Sequence, residues 1–250
     1  MSELHVRLLV NDESRVVMEQ SDLSTHISHA FNEDLSRIRG LALEMGHRVE
    51  DQVAAALKAL TAGDTRLARK VELEDHRVDH LELAIDDECS RMIVRRQPTA
   101  MDLRYVLAVI KITSDLERIG DEAEKVARMA VHLAGMDRPR DNYAELGKLG
   151  GDVADMVRDS VAAFETYNVR LARDVLRRDE AVDRRYEAVN ARCMEAMSID
   201  PRDIRRQLYV LWLTRALERI GDHAKNVSEQ VFYFVEGMDV RHGTPVPAPA

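Results

Sequence analysis

The sequence predicts an all-α protein built as two tandem homologous three-helix bundles. Three observations carry that prediction. Apolar residues recur every three or four positions nearly everywhere before residue 238, the beat of helices buried on one face. The composition favours helix formers, with only 4% aromatics among 45% hydrophobic residues. The second half of the chain repeats the first.

Residues 1–21 read as an N-terminal extension. It holds one short hint of strand alternation, His5 to Val10, and Met18 offers an alternative start. A first helix is expected over 22–62. Gly63 stops it and Asp64 supplies the next N-cap. The second helix, 64–96, carries the stripe Leu67, Val71, Glu74, Val78, Leu81, Ile85, Cys89 and Met92, with one polar exception. Pro98-Thr99 opens a third helix over 98–135. The polar, proline-broken run Asp137 to Asn142 joins the halves. Three more helices follow over 142–166, 168–198 and 200–237, the last opened by Asp200-Pro201. Short loops make neighbouring helices antiparallel. The first bundle therefore spans 22–137 and the second 138–239, with a disordered tail expected over 240–250.

The repeat is visible residue by residue. Thr65-Arg66-Leu67-Ala68-Arg69 returns as Val169-Arg170-Leu171-Ala172-Arg173, a shift of 104 from position 65 to 169. The same shift relates Asp75 to Asp179, Asp79 to Asp183 and Cys89 to Cys193. Leu116-Glu117-Arg118-Ile119-Gly120-Asp121 returns as Leu217-Glu218-Arg219-Ile220-Gly221-Asp222, now shifted by 101 from 117 to 218. The three lost residues fall at the Pro98 and Pro201 turns.

Charge and composition exclude several classes. With 36 basic and 45 acidic residues the net charge is −9, which disfavours a nucleic-acid binder needing a basic face. Glu3, Asp12 and Glu13 interrupt any signal-peptide core. The longest apolar runs, Tyr105 to Ile110 and Leu208 to Leu213, are far too short to span a bilayer. Two cysteines make no disulfide framework. A cytoplasmic protein with reduced thiols is expected.

The acids that repeat are the candidate chemistry. Glu117 with Asp121 and Glu218 with Asp222 stand four apart, one helical turn, on one face. Asp75 with Asp79 and Asp179 with Asp183 do the same on the preceding helices. Two such helices packed antiparallel could bring four carboxylates together, the oxygen donors that hard and borderline cations take. The plain alternative is a solvated charged face, because Glu117 and Asp121 sit about 100–150° from the core stripe of their helix. Three features favour metal. Like charges four apart cost about 0.2–0.5 kcal/mol per pair, yet four pairs recur. Gly120 and Gly221 lie mid-helix at about 1 kcal/mol each, which suggests close helix approach beside the acids. Asp75, Asp79, Glu82 and Asp86 continue one stripe. Arg118 and Arg219 are expected to point to another side.

Glu117-Arg-Ile-Gly-Asp121 and Glu218-Arg-Ile-Gly-Asp222-His223 resemble the paired E/D-xxx-D motifs of the PhoU family. Arg95-Arg-Gln-Pro-Thr-Ala100, Val231 to Gly237 and Asp239-Val-Arg-His242 are similar too, and the likeness runs from about Leu23 to His242. That resemblance implies a cytoplasmic accessory protein of phosphate uptake, peripheral to the inner face of the membrane through its partners. It implies a homodimer, and a negative regulator of the phosphate-starvation response. Such a regulator links the ATPase subunit of the phosphate-specific ABC transporter to a sensor histidine kinase. The resemblance also implies divalent metal, with an iron cluster first and Zn, Mn or Mg as alternatives. The ligands carried over are Asp75, Asp79, Glu117 and Asp121, then Asp179, Asp183, Glu218 and Asp222. No catalytic residue is implied; the rival function is a metal-dependent enzyme using the same carboxylates. A third reading has the acids merely solubilising a bundle that binds partners without metal.

The halves are unequal. Glu82, Asp86 and Glu124 correspond to Tyr186, Asn190 and Lys225, so tighter or higher-nuclearity metal binding is expected in the first half. Other motifs have simpler readings. His76-Arg-Val-Asp-His80 resembles the H-x-x-E-H peptidase motif with the general base shortened, and its histidines face away from the core stripe. Glu44-x-x-His47 is half of a di-iron pattern that needs two. Cys89 and Cys193 read as buried structural thiols, and Trp212 and the 231–235 run as core or interface packing. No Gly-rich phosphate loop is present.

Overall fold

The computed structural model describes residues 10–11, 15–16, 29–137, 139 and 143–240. Six helices account for most of them: α1 His29–Ala62, α2 Thr65–Arg96, α3 Ala100–Ala134, α4 Ala144–Thr166, α5 Val169–Ile199 and α6 Ile204–Glu236. A short 3₁₀ turn, Pro201–Asp203, precedes α6. Two-residue strands β1 Val10–Asn11 and β2 Arg15–Val16 pair antiparallel. The expected helical start at 22–28, most of the extension 1–21 and almost all of the tail 240–250 lie outside the described residues.

Local chemistry sets the helix ends. Gly63 takes a left-handed φ of 68° after α1, a conformation that costs glycine little. The Asp64 carboxylate then accepts hydrogen bonds from the Arg66 and Leu67 amides. Asn168 caps α5 through Leu171, and Asp200 caps the Pro201 turn through Arg202. Gln97 and Tyr167 also adopt left-handed φ, 46° and 53°, where α2 and α4 end. No sequence cue marked those two, because neither is glycine or asparagine.

α1, α2 and α3 pack together, as do α4, α5 and α6, and the two bundles join through α3 against α6 and α1 against α4. The core is mainly Ala, Val, Leu and Ile, with Ile38, Ile85, Ile112, Ile119, Leu213 and Ile220 fully buried. Burial of this kind supplies most of the stability of long helices. Where the halves meet at one end, Tyr105, Phe164, Tyr167 and Phe234 form an edge-to-face cluster. Phe234 stands 5.4 Å from Tyr105, 6.1 Å from Phe164 and 5.4 Å from Tyr167. Thus the few aromatics are concentrated at the seam between the bundles.

That seam also carries polar pairs. His223 Nδ1 lies 2.9 Å from Asp115 Oδ1, and Asn226 donates to the same oxygen at 3.0 Å. Arg219 reaches across to the buried Glu122 carboxylate at 3.0 Å, which Lys125 also contacts at 2.9 Å. Arg219 is therefore an interface residue with a partner of its own. Trp212 is corrected from core: it is 55% exposed and packs edge-on against Tyr209, which stacks on His132. The 231–235 run does go into the core, with Val231, Phe232 and Phe234 fully buried.

Cys89 and Cys193, the two cysteines of the chain, are buried free thiols. Burial pushes their thiols up to about 12 and about 11, so almost no thiolate exists near neutrality. Iodoacetamide at pH 8 is expected to spare both in the native protein and to alkylate both after denaturation. Peptide mass spectrometry reads the difference; rapid native labelling of either cysteine refutes the burial.

Candidate metal centres

α2 and α3 set the first group of acids side by side. Asp75 is buried on α2 and Asp79 lies one turn further along, half exposed. On α3, Glu117 is largely buried and Asp121 partly so. The four carboxylates act on one another. Asp79 and Asp121 both raise the Asp75 pKa, and Asp121, Glu82 and Asp79 raise that of Glu117, in each case after burial as the largest cause. Burial also lifts Glu82 and Glu124, with further upward pushes from Asp86 and from Asp75 respectively. α2 and α3 therefore concentrate negative charge along their shared groove.

The burial pattern corrects two expectations. Asp75, and not Glu74, is the acid on the core side of α2. The ladder is also less exposed than the helical wheel implied, since Asp75 and Asp179 are buried and Glu117 and Glu218 nearly so. Arg118 is corrected as well: its guanidinium stands 3.3 Å from Glu117 and 3.4 Å from Asp121, on the acids' side. The histidines of the 76–80 motif do face solvent, with His76 resting 3.6 Å from Asp79.

Gln52 on α1 is the residue that sequence reasoning missed. Its amide donates to Asp75 Oδ1 at 2.7 Å, in the interior. Gly120 lies beside this pair: a Cβ there would stand 3.0 Å from Asp75 Oδ1 and 3.3 Å from Gln52 Oε1. Close approach at Gly120 is thus real. At Gly221 a Cβ would meet Val182 Cγ1 at an ordinary 3.4 Å, so the repeated glycine has a steric reason in the first half only.

The second group sits on α5 and α6. Asp179 is buried, Asp183 exposed, Glu218 nearly buried and Asp222 half-buried. Burial raises Asp183, Glu218 and Asp222, with Asp179 and Asp222 adding to the Asp183 shift. Asp222 also raises Glu218, and Asp179 raises Asp222. Here a cation bonds the buried acid itself, because Lys225 donates to Asp179 Oδ2, whereas Arg118 in the first group flanks Glu117 and Asp121.

The donor sets fit a hard or borderline cation in kind. They are all carboxylate oxygens, and one oxygen in each group, Oε2 of Glu117 and of Glu218, is shut from solvent and accepts no hydrogen bond. A buried acceptor of this kind is costly without a positive partner; Arg118, 3.3 Å from Glu117 Oε2, supplies one in the first group. As the side chains stand, no three His, Cys, Asp or Glu among the described residues are gathered closely enough to hold an ion.

The raised acids make stability depend on pH. Their folded pKa values lie above the unfolded values, which are near 3.8 for Asp and 4.5 for Glu. The folded chain therefore holds more protons, and stability grows as pH falls from neutrality through the raised values. The chelator-treated protein is expected to melt higher at pH 5.5 than at pH 7.5. Glu117→Gln and Glu218→Gln are expected to shrink the difference. A melting temperature that falls steadily over that interval refutes the sign.

Two shallow cavities lie elsewhere. One of ≈ 270 Å³ between α1 and α2 is lined by Arg48, Gln52, Lys70 and Arg77 among others, and one of ≈ 180 Å³ lies near Arg192 and Arg206. None of the eight carboxylates lines either. Among the described residues no helix is long and apolar enough to cross a membrane.

Comparison with known proteins agrees with this architecture. The sequence model of the PhoU domain matches twice, over residues 42–130 and 146–231, once in each half. The phosphate-specific transport system accessory protein PhoU homolog of Pseudomonas putida is 43% identical over 226 residues, 90% of this chain and 88% of its own. The Escherichia coli K12 accessory protein PhoU is 38% identical, covering 90% and 93%. Among solved structures, PhoU from Pseudomonas aeruginosa superposes with a TM-score of 0.80 at 42% identity, over 82% of this chain and 98% of that one. The phosphate transport system regulatory protein PhoU of Streptococcus pneumoniae gives 0.76 at 26% identity, over 84% and 99%.

Proposed function

The chain belongs to the PhoU family, and from that premise we propose that it is an accessory protein of phosphate uptake that works by docking and not by catalysis. In this reading it is a cytoplasmic homodimer that restrains the phosphate-starvation response. It does so by linking the ATPase subunit of the phosphate-specific transporter to a sensor histidine kinase. The observation that carries the reading is the agreement over nearly the full length of both chains with relatives named for that accessory role. Relatives named as accessory or regulatory proteins support a regulator over an enzyme that uses the same carboxylates.

Metal belongs to the same proposal. Asp75, Asp79, Glu117 and Asp121 would hold one site and Asp179, Asp183, Glu218 and Asp222 the other, with iron, zinc, manganese or magnesium as candidates. A bound divalent ion supplies charge that offsets the repulsion between the facing acids. Gln52 orients the Asp75 carboxylate through the 2.7 Å hydrogen bond, while Arg118 partly screens Glu117 and Asp121.

Deleting the gene tests the function. Phosphate-starvation genes are expected to be expressed in phosphate-rich medium, and expression is expected to be silenced again when the gene is restored. Correct repression in the deletion strain counts against the proposal. Turnover of a phosphate ester that disappears with Glu117→Ala would favour the enzyme instead.

A further inference from the structure

We propose that Lys225 is the resident cation of the second carboxylate group, so that one half of the chain accepts metal and the other neutralises itself. The proposal rests on the metal reading given above for the first half.

The two groups share a backbone plan but differ at two positions that face it. In the first half the buried acid, Asp75, is satisfied by a neutral amide, since Gln52 Nε2 donates to its Oδ1 at 2.7 Å. A shift of 104 carries Gln52 to Met156. The structure agrees with that correspondence: Gln52 Oε1 is 3.3 Å from the Cβ position of Gly120, and Met156 Cε is 3.9 Å from that of Gly221. Methionine donates no hydrogen bond. Asp179, as buried as Asp75, therefore lacks the amide that serves its counterpart.

Lys225 fills that role. It donates to Asp179 Oδ2, and it sits one turn from both Asp222 and Glu229 on α6. Its counterpart under the shift of 101 is Glu124, which adds negative charge to the first group and pairs on its outer side with Arg128 at 3.4 Å. One half thus has an extra carboxylate and a neutral donor, and the other an ammonium held on its most buried acid. A metal entering the second group must displace a bonded cation and then share the site with it. The first group has a cation too, Arg118 at 3.3 Å from Glu117 and 3.4 Å from Asp121, but that guanidinium is half exposed and leaves the buried Asp75 to the neutral Gln52.

Titration with Mn²⁺ alone, followed by calorimetry and elemental analysis of the full chain, tests this. The intact protein is expected to load the first half: Glu117→Ala/Asp121→Ala removes uptake, and Glu218→Ala/Asp222→Ala leaves it unchanged. Lys225→Gln is expected to tighten the second half by about tenfold or more, a difference of about 1.4 kcal/mol. That gained uptake is expected to vanish when Glu218→Ala/Asp222→Ala is added. Met156→Gln/Lys225→Glu, which copies the first half, is the second variant should Lys225→Gln fold poorly. Equal uptake by both halves of the intact protein, or no gain in either Lys225 variant while the first half still loads, overturns the role of Lys225 and leaves the metal reading standing. Uptake by no variant at all overturns both.

Discussion

Phe234→Ala is expected to cost about 3–5 kcal/mol of stability, the range for deleting a fully buried phenylalanine. The residue has no solvent exposure, and its ring meets three others edge to face, from Tyr105 on α3, Phe164 on α4 and Tyr167 just beyond α4. Each such pair is worth about 0.5–1.5 kcal/mol beyond burial. The cluster ties the first bundle to the second, so truncation should loosen their docking as well as their cores. Phe234→Leu keeps most of the volume and should cost only about 1 kcal/mol. Urea denaturation with separate probes near α3 and α4 reads both effects. A loss below about 1 kcal/mol for the alanine variant would mean that this cluster does not limit stability.

The two mid-helix glycines should respond in opposite directions. Gly221→Ala is expected to stabilise by up to about 1 kcal/mol, because the added methyl meets Val182 at 3.4 Å while the helix gains intrinsic propensity. Gly120→Ala receives the same gain but crowds Asp75 at 3.0 Å and Gln52 at 3.3 Å, and those two are held by their mutual hydrogen bond. Overpacking of that kind costs about 1–3 kcal/mol, so a net loss of about 1 kcal/mol is expected. The variants should therefore differ by about 2 kcal/mol in chemical denaturation. Equal responses would show that the first-half contact yields freely.

Helix number, order and punctuation were legible in the sequence because each has a local cause. The period of the apolar residues, the caps at Asp64 and Asp200 and the left-handed Gly63 need no knowledge of distant neighbours. The repeat located the carboxylate groups for the same reason. Packing decided the rest. Asp75 and Glu74 are adjacent on α2, and only the direction from which α1 and α3 approach puts Asp75 inside. Helix geometry alone turns Arg118 away from the acids, yet its long flexible stem lets the guanidinium reach back to both. The aromatic cluster joins residues more than a hundred positions apart, and Lys225 meets Asp179 across 46. No periodicity within a single helix encodes such meetings.

The polar pairs at the seam have a consequence for the duplication itself. Under the shift of 101, Asp115 corresponds to Ala216, His223 to Glu122 and Asn226 to Lys125. The partners that meet across the seam are thus not copies of one another, and each half carries what the other lacks. A chimera of two first halves would set Asp115 against Glu122, acid facing acid, where the native chain sets it against His223. One of two second halves would leave His223 and Asn226 opposite an alanine. The duplicated modules have become non-interchangeable complements at the contact that joins them.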